Sequence, residues 1–176
     1  MIIEILRIGQ RLVRDDRVTT HVALVARAFG ASKIFMNEVN PEIKSTLDRV
    51  NKSWGSNFQV EFIEDWRSLL KSKRKDFKIV HLTMYGENIN NSEDILKRED
   101  QILIVVGAEK VPRDVYDKAD YNVAVGNQPH SEISALAVLL DRIQNGKQFD
   151  AKYDNARFQI IPTKKGKRVI EKRLVK

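Results

Sequence analysis

The chain has 176 residues, 31 Lys+Arg against 24 Asp+Glu for a net charge of +7, and no cysteine. That length suits one domain with a substantial core and a small appendage, and the missing cysteine excludes a disulfide framework, a thiolate metal site and a cysteine nucleophile. No apolar run approaches the length that spans a bilayer and no signal-like start precedes the first apolar run, so a cytosolic protein is expected.

Ile2 to Ile8 is apolar-rich and reads as a first strand. The polar stretch Gly9 to Arg17 follows, with Arg11, Arg14, Asp15, Asp16 and Arg17. Thr19 or Thr20 can cap the next helix, whose buried face carries Val18, Val22, Val25, Ala26 and Phe29. Gly30 ends it, and Lys33 to Met36 is a short second strand. Asn40-Pro41 predicts a helix start, with asparagine as cap and proline at the first helical position; the helix reaches about Trp54 and stops at Gly55. Phe58 to Ile63 alternates as a third strand. Asp65 can cap a helix around Trp66, Leu69 and Leu70, and its basic end, Lys71 to Lys75, suits the negative end of a helix dipole. Phe77 to Leu82 is a fourth strand ending in Thr83-Met84-Tyr85-Gly86, and Ser92 can cap a short helix through Leu96.

The stretch Gln101 to Ile143 organises the rest. Ile102 to Val106 is a short apolar run of the kind a buried strand shows, broken at Gly107-Ala108-Glu109-Lys110-Val111-Pro112. Tyr121 to Val125 is another strand, broken at Gly126-Asn127-Gln128-Pro129-His130. Ser131 then caps a long helix carrying Ile133, Leu136, Ala137, Leu140 and Ile143 on one face and stopping at Gly146. Strands alternating with helices imply an α/β fold, a mostly parallel sheet flanked by helices. Two strand-then-loop units side by side would set two polar loops at the carboxyl ends of neighbouring strands, where α/β sheets bind ligands. The loops offer backbone groups, one carboxylate and an amide pair, which suits a neutral or zwitterionic ligand with an adenine and a ribose. No lysine-bearing Walker loop is present for a triphosphate.

After Gly146 the pattern changes. Phe158 to Ile161 and Val169 to Arg173 flank Pro162-Thr163-Lys164-Lys165-Gly166, a β-hairpin with a basic tip. A lone hairpin is marginal in water, so it should lie on the main domain or on another subunit. Residues 147–176 hold ten Lys+Arg and three Asp+Glu, which leaves 21 of each in residues 1–146. The basic excess sits in the tail, as a footprint for a polyanion or as a solvated appendage. The domain reading is therefore 1–146 for the α/β body and 147–176 for the basic hairpin extension.

The segments GAEKVP and YNVAVGNQPHSEISALAVLLDR, with the earlier RLVRDDRVTTHVALVARAFGA and HLTMYG, resemble the SPOUT (trefoil-knotted) RNA methyltransferases. More narrowly they are similar to the archaeal tRNA 2'-O-methyltransferases that modify cytidine 56 in the TΨC loop, in the family's order across most of residues 5–145. The resemblance implies a SPOUT-type α/β knot, S-adenosylmethionine as cofactor, tRNA as partner and a homodimer with the active site near the subunit interface, with no metal and no membrane. By the same resemblance the cofactor-binding positions are Leu82, Gly107, Ala108, Glu109, Lys110, Val111, Val125, Gly126, Asn127, Gln128, Pro129, His130, Ser131 and Glu132.

Each candidate also has an ordinary reading. Gly107 and Gly126 let backbone approach a ligand or are turn glycines; Val111 and Val125 lend backbone groups or are core. Glu109 accepts hydrogen bonds from a ligand or is a solvated loop carboxylate. Asn127 and Gln128 bond ligand or serve turn chemistry. Arg17 is the choice for stabilising the developing 2'-alkoxide, with Arg14 and Arg11 competing. The first motif departs from related ribose methyltransferases, lacking their asparagine and carrying Leu24 near where their arginine falls. His21 and His130 could shuttle protons or bond locally, His81 reads as core, and Tyr85, Trp54 and Trp66 stack on a base or pack. A non-catalytic RNA-binding protein is the competing function, and cofactor binding separates the two.

Overall fold

Apolar, β-branched runs pair into one parallel sheet in the computed structural model, which describes residues 1–9, 16–37, 40–108, 110–153 and 155–172. In chain order the elements are β1 (Ile2–Ile8), α1 (Asp16–Ala28), β2 (Lys33–Met36), α2 (Glu42–Trp54), β3 (Gln59–Phe62), α3 (Trp66–Lys73), β4 (Lys78–Asn88) and α4 (Ile89–Leu96). There follow β5 (Gln101–Gly107), α5 (Arg113–Lys118), β6 (Tyr121–Ala124), α6 (Glu132–Gln144), a 3-10 turn at Lys147–Asp150, β7 (Phe158–Ile160) and β8 (Val169–Glu171). The sheet order is β3-β2-β1-β5-β4-β6, with every described pairing parallel.

Both faces of the sheet are covered. Ile3, Ile5, Ile34, Val80, Leu82, Ile104 and Val106 meet α1, α2, α4 and α6 through Val22, Ala26, Leu47, Leu96, Leu136 and Leu140. Leu6, Ile8, Phe35, Ile79, Leu103 and Val105 point the other way, onto Trp66 and Leu70 of α3 and Val115 of α5. With both faces buried, β5 has to be apolar at successive positions, which is why it reads as an unbroken run.

Several local expectations shift. The helix assigned to a Thr19 or Thr20 cap begins earlier, at Asp16; Thr19 is buried and the Thr20 hydroxyl donates to the Asp16 carbonyl inside the helix. Asn88, not Ser92, caps α4, accepting from the Asn90 N–H, while Ser92 is buried within it. Asp65 and Ser131 cap α3 and α6 as predicted, and the Asn40 Oδ1 accepts from the Glu42 N–H at the start of α2. The buried face of α6 runs through Ala135, Leu136, Leu139, Leu140 and Ile143, with Ile133 and Ala137 only half-buried. α5 is a helix the glycine–proline break concealed.

The two crevice loops are not on neighbouring strands: β4 lies between β5 and β6. β4 also continues past Leu82. Leu82 and Glu87 both sit opposite Val123, so Thr83 to Gly86 are extruded from the ladder as a bulge before pairing resumes at Asn88 and Ala124.

β7 and β8 form the expected antiparallel hairpin, separate from the main sheet. It rests on the main body through Phe158, whose ring lies 5.9 Å from that of Trp54. Arg27, buried in α1, anchors the approach to it, bonding Asn51 and the Gly55 carbonyl beneath the Tyr153 ring.

A Cβ on Gly86 would lie 2.5 Å from the backbone carbon and oxygen of Asn122. Backbone cannot step aside as a side chain can, so Gly86→Ala is expected to cost about 1–3 kcal/mol, a drop in melting temperature of roughly 5 °C for a chain of this size. Calorimetry of the two proteins checks this; an unchanged transition would refute the packing argument.

Candidate functional site

The carboxyl ends of β4, β5 and β6 enclose a cavity of about 540 Å³. Its walls are His81 to Tyr85 from β4, Val106 and Gly107 from β5, Lys110 and Val111 from the loop that follows, and Tyr116 from α5. Val123 from β6, Val125, Pro129 and His130 from the loop after it, and Glu132 and Ala135 from α6 complete it. A largely apolar cleft of this size with a few polar groups is what small-ligand sites look like. Among the described residues no cluster of His, Asp or Glu could hold a metal, and no helix is long and apolar enough to cross a membrane.

Eight of the fourteen sequence-predicted cofactor positions line this cavity: Leu82, Gly107, Lys110, Val111, Val125, Pro129, His130 and Glu132. Five others lie in the loops beside it. Ala108 donates its N–H to the Ile8 carbonyl, and Ser131 caps α6. Gly126 adopts a φ of +80°, a turn conformation open to glycine, with nothing within 4 Å of where a Cβ would be. Gln128 is exposed. Asn127 reaches across: its Nδ2 donates to the Met84 carbonyl at 2.8 Å and the Gly86 carbonyl at 3.2 Å, tying the second loop to the β4 bulge. Glu109 lies outside the described residues, as do Arg11, Arg14 and Asp15.

Arg17 sits exposed in the first turn of α1, and does not line the cavity. Because α1 follows the carboxyl end of β1, that turn belongs to the same edge of the sheet. His21 is exposed, and His130 bonds locally through Nδ1 to the Ser131 carbonyl. Trp66 is core and Trp54 packs on the hairpin. Tyr85 stands 75% exposed at the cavity wall.

Sequence reasoning missed the polar network beneath the cavity. His81 is fully buried, as a core residue would be, but it lines the cavity too. The Asn122 Nδ2 donates to the Tyr116 carbonyl at 3.0 Å, which turns its Oδ1 toward the His81 Nδ1, 2.9 Å away. Nδ1 therefore carries the imidazole proton, and Nε2 presents a bare lone pair that finds no partner among the described residues. The Tyr116 ring stands edge-on against His81 and its hydroxyl bonds Thr83. The sequence clue was the polar pair His81 and Asn122 at cross-strand positions in otherwise apolar strands, legible only once β4 and β6 are known to pair.

Arg7 was also missed. It is 0% exposed on β1 and donates from Nη2 to the Glu132 Oε1 at 3.1 Å, at the start of α6. Its Nε and Nη1 have no partner among the described residues. A buried guanidinium with idle donors is costly until a further acceptor arrives.

The sequence matches the family described as tRNA ribose 2'-O-methyltransferase, aTrm56, over residues 54–170. It is 64% identical over 170 residues to a tRNA (cytidine(56)-2'-O)-methyltransferase of Nitrosopumilus maritimus, covering 96% of each chain. A protein of the same name from Cenarchaeum symbiosum is 61% identical over 171 residues, covering 97% of this chain and 98% of that one. In three dimensions the chain is similar to the SpoU methyltransferase AviRb from Streptomyces viridochromogenes, solved in complex with AdoMet. The TM-score is 0.56 at 12% identity, over 82% of this chain and 57% of that one.

Burial holds the His81 pKa below its ordinary 6.5, outweighing the bond to Asn122, which pulls it up. The folded protein therefore keeps His81 neutral while the unfolded chain takes up its proton, so this histidine leaves stability intact above pH 6.5 and erodes it as the pH falls below. One proton corresponds to a slope of up to about 1.4 kcal/mol per pH unit. Denaturant unfolding between pH 7.5 and 5.5 is expected to show a shallower loss in His81→Phe than in the parent; parallel curves would contradict the assignment.

Proposed function

The chain belongs to the aTrm56 family of tRNA ribose 2'-O-methyltransferases, and we propose that it methylates the ribose 2'-hydroxyl of cytidine 56 in tRNA with S-adenosylmethionine as donor. The observation that carries this reading is the cavity where the two crevice loops and the β4 bulge meet. Its size suits a nucleoside-sized ligand. Leu82, Val106, Val111 and Val125 offer apolar surface to an adenine.

Bound there, S-adenosylmethionine supplies a methyl group already activated on a sulfonium, so the protein's task is alignment and charge. Glu132, held by Arg7, presents a carboxylate suited to a ligand ammonium. Asn127 keeps the bulge and the second loop at a fixed separation. Arg17, at the same edge and open to solvent, is the group assigned to the 2'-oxygen as its proton leaves; a guanidinium stays protonated and stabilises the alkoxide instead of acting as the base.

The same reading extends to a trefoil-knotted backbone, which the family resemblance implies. It also extends to a homodimer working in the cytoplasm, to the cofactor roles of Ala108, Glu109 and the other loop residues, and to a division into an α/β body (1–146) and a tail (147–176) that aids RNA binding. Light scattering on the purified protein tests the dimer.

The decisive experiment is methyl transfer from labelled S-adenosylmethionine to unmodified tRNA transcript, beside a transcript carrying 2'-deoxycytidine at position 56. Transfer to the first alone is expected. Transfer to both refutes the target oxygen, and transfer to neither with no cofactor binding refutes the enzyme. Arg17→Ala is expected to lower kcat by about 10²–10³, as for a lost oxyanion-stabilising donor, with cofactor affinity unchanged; an undiminished kcat would remove Arg17 from the reaction.

A further inference from the structure

α3 divides its cations between two faces. Lys73 turns inward, paired with Glu4 and set over the rings of Phe35 and Phe77. Arg67 and Lys71 of α3, with Arg74 and Lys75 in the turn that closes it, keep an i, i+4, i+7, i+8 spacing and face solvent. With Ser68 and with Lys118 from α5 they line a groove of about 510 Å³ into which no carboxylate projects. Two acids stand beside it: Asp65, which accepts from the Ser68 hydroxyl and the Arg67 N–H, and Asp114. A single Asp114 oxygen serves both Arg67, at 2.9 Å, and Lys118, at 3.3 Å. The side chains of Lys71, Arg74 and Lys75 have no ion pair among the described residues.

The helix dipole accounts for cations only in the last turn of α3. It does not account for Arg67 in the first turn, where a positive charge is unfavourable, or for Lys118 on another helix. Like charges four residues apart also weaken a helix slightly. Five cations against the two carboxylates of Asp65 and Asp114 leave a positive furrow, the complement of a phosphate backbone. The guanidinium of Arg67 lies 4.2 Å over the Trp66 ring, which holds its fork at the groove.

The groove's position gives it a use. α5 begins directly after the loop that carries Lys110 and Val111, and Tyr116 on α5 forms part of the cavity wall. Lys118 and Asp114, on the same helix, border the groove. Cavity and groove thus lie on two sides of one helix, roughly 10–12 Å across.

We propose that the groove between α3 and α5 binds the sugar–phosphate backbone of tRNA and holds the substrate while its target ribose enters the cavity across α5. This rests on the reading of the chain as a tRNA methyltransferase. The contacts go to phosphate and carry no base readout, so they add affinity and salt dependence uniformly across tRNA sequences.

The test uses the full chain carrying Lys71→Gln, Arg74→Gln and Lys75→Gln together, with Lys71→Arg/Lys75→Arg as the charge-preserving control. tRNA affinity is measured from 50 to 300 mM salt, and S-adenosylmethionine affinity and oligomeric state are measured in parallel. The triple variant is expected to bind tRNA about tenfold or more weakly at low salt, with a slope of log K against log salt shallower by about two. KM for tRNA should rise, with cofactor affinity and kcat at saturating tRNA close to the parent's, and the arginine control should behave as the parent. An unchanged slope and affinity would overturn the proposal. A triple variant that changes oligomeric state would assign the groove to contact between copies and overturn it as well. If the parent binds tRNA yet transfers no methyl group, the reaction fails while the groove is still judged by its salt slope.

Discussion

Gly86 passes so near Asn122 that the two backbones meet without a side chain between them, and the cavity depends on that approach. With Leu82 and Glu87 sharing one partner, Val123, four residues leave the ladder and become a wall. Extruded backbone loses its ladder partners, and its half-exposed carbonyls are open to new ones. Asn127 supplies them, donating to the Met84 and Gly86 carbonyls from the neighbouring loop. One close approach and one amide side chain thereby turn the edge of a plain parallel sheet into a cleft whose width is fixed before any ligand arrives.

α5 is short, yet it stands between the two surfaces that matter. On the cavity side Tyr116 packs edge-on against His81 and bonds Thr83 of the bulge. On the groove side Asp114 gathers Arg67 and Lys118. Its Val115 is buried in the core against the sheet. A rigid core anchor, a cavity wall and a cationic rim on one six-residue helix make the distance between ligand and groove a property of the fold and not of a flexible loop.

Alternation of apolar runs with capped helices made the parallel α/β sheet legible, because burial on both faces leaves continuous runs such as Ile102 to Val106 and because Ser131 and Asp65 cap as their chemistry predicts. The loops at Gly107 and Gly126 were legible as breaks at carboxyl ends. The strand order was not, since adjacency of β4 and β6 is a long-range choice that no local pattern encodes, and so His81 read as simple core. Arg7 was hidden for the same reason: one arginine in an apolar strand has no visible partner until α6 returns Glu132 to it. The start of α1 was misplaced because Thr19 and Thr20 are good caps in isolation, and burial of Thr19 overrode that preference.

Formal neutrality of residues 1–146 concealed the groove, because counting charge along a segment ignores how the fold sorts it. Glu4 and Glu61 are taken up by Lys73 and Lys33, and Glu93 by Lys97 and Arg142, which leaves Lys71, Arg74 and Lys75 without an ion pair among the described residues. The tail shows the converse. Its excess is plain in the sequence, but the hairpin rests on Trp54, at the end of a helix that runs back from the carboxyl edge of the sheet toward the amino end of β3. The helix is about 20 Å long at 1.5 Å per residue, so within one chain the described hairpin lies at the far end from the cavity. It lies also over the opposite face of the sheet from α3. Among the described residues it is therefore the groove that the composition hid, and not the hairpin, that shares a helix with the cavity wall.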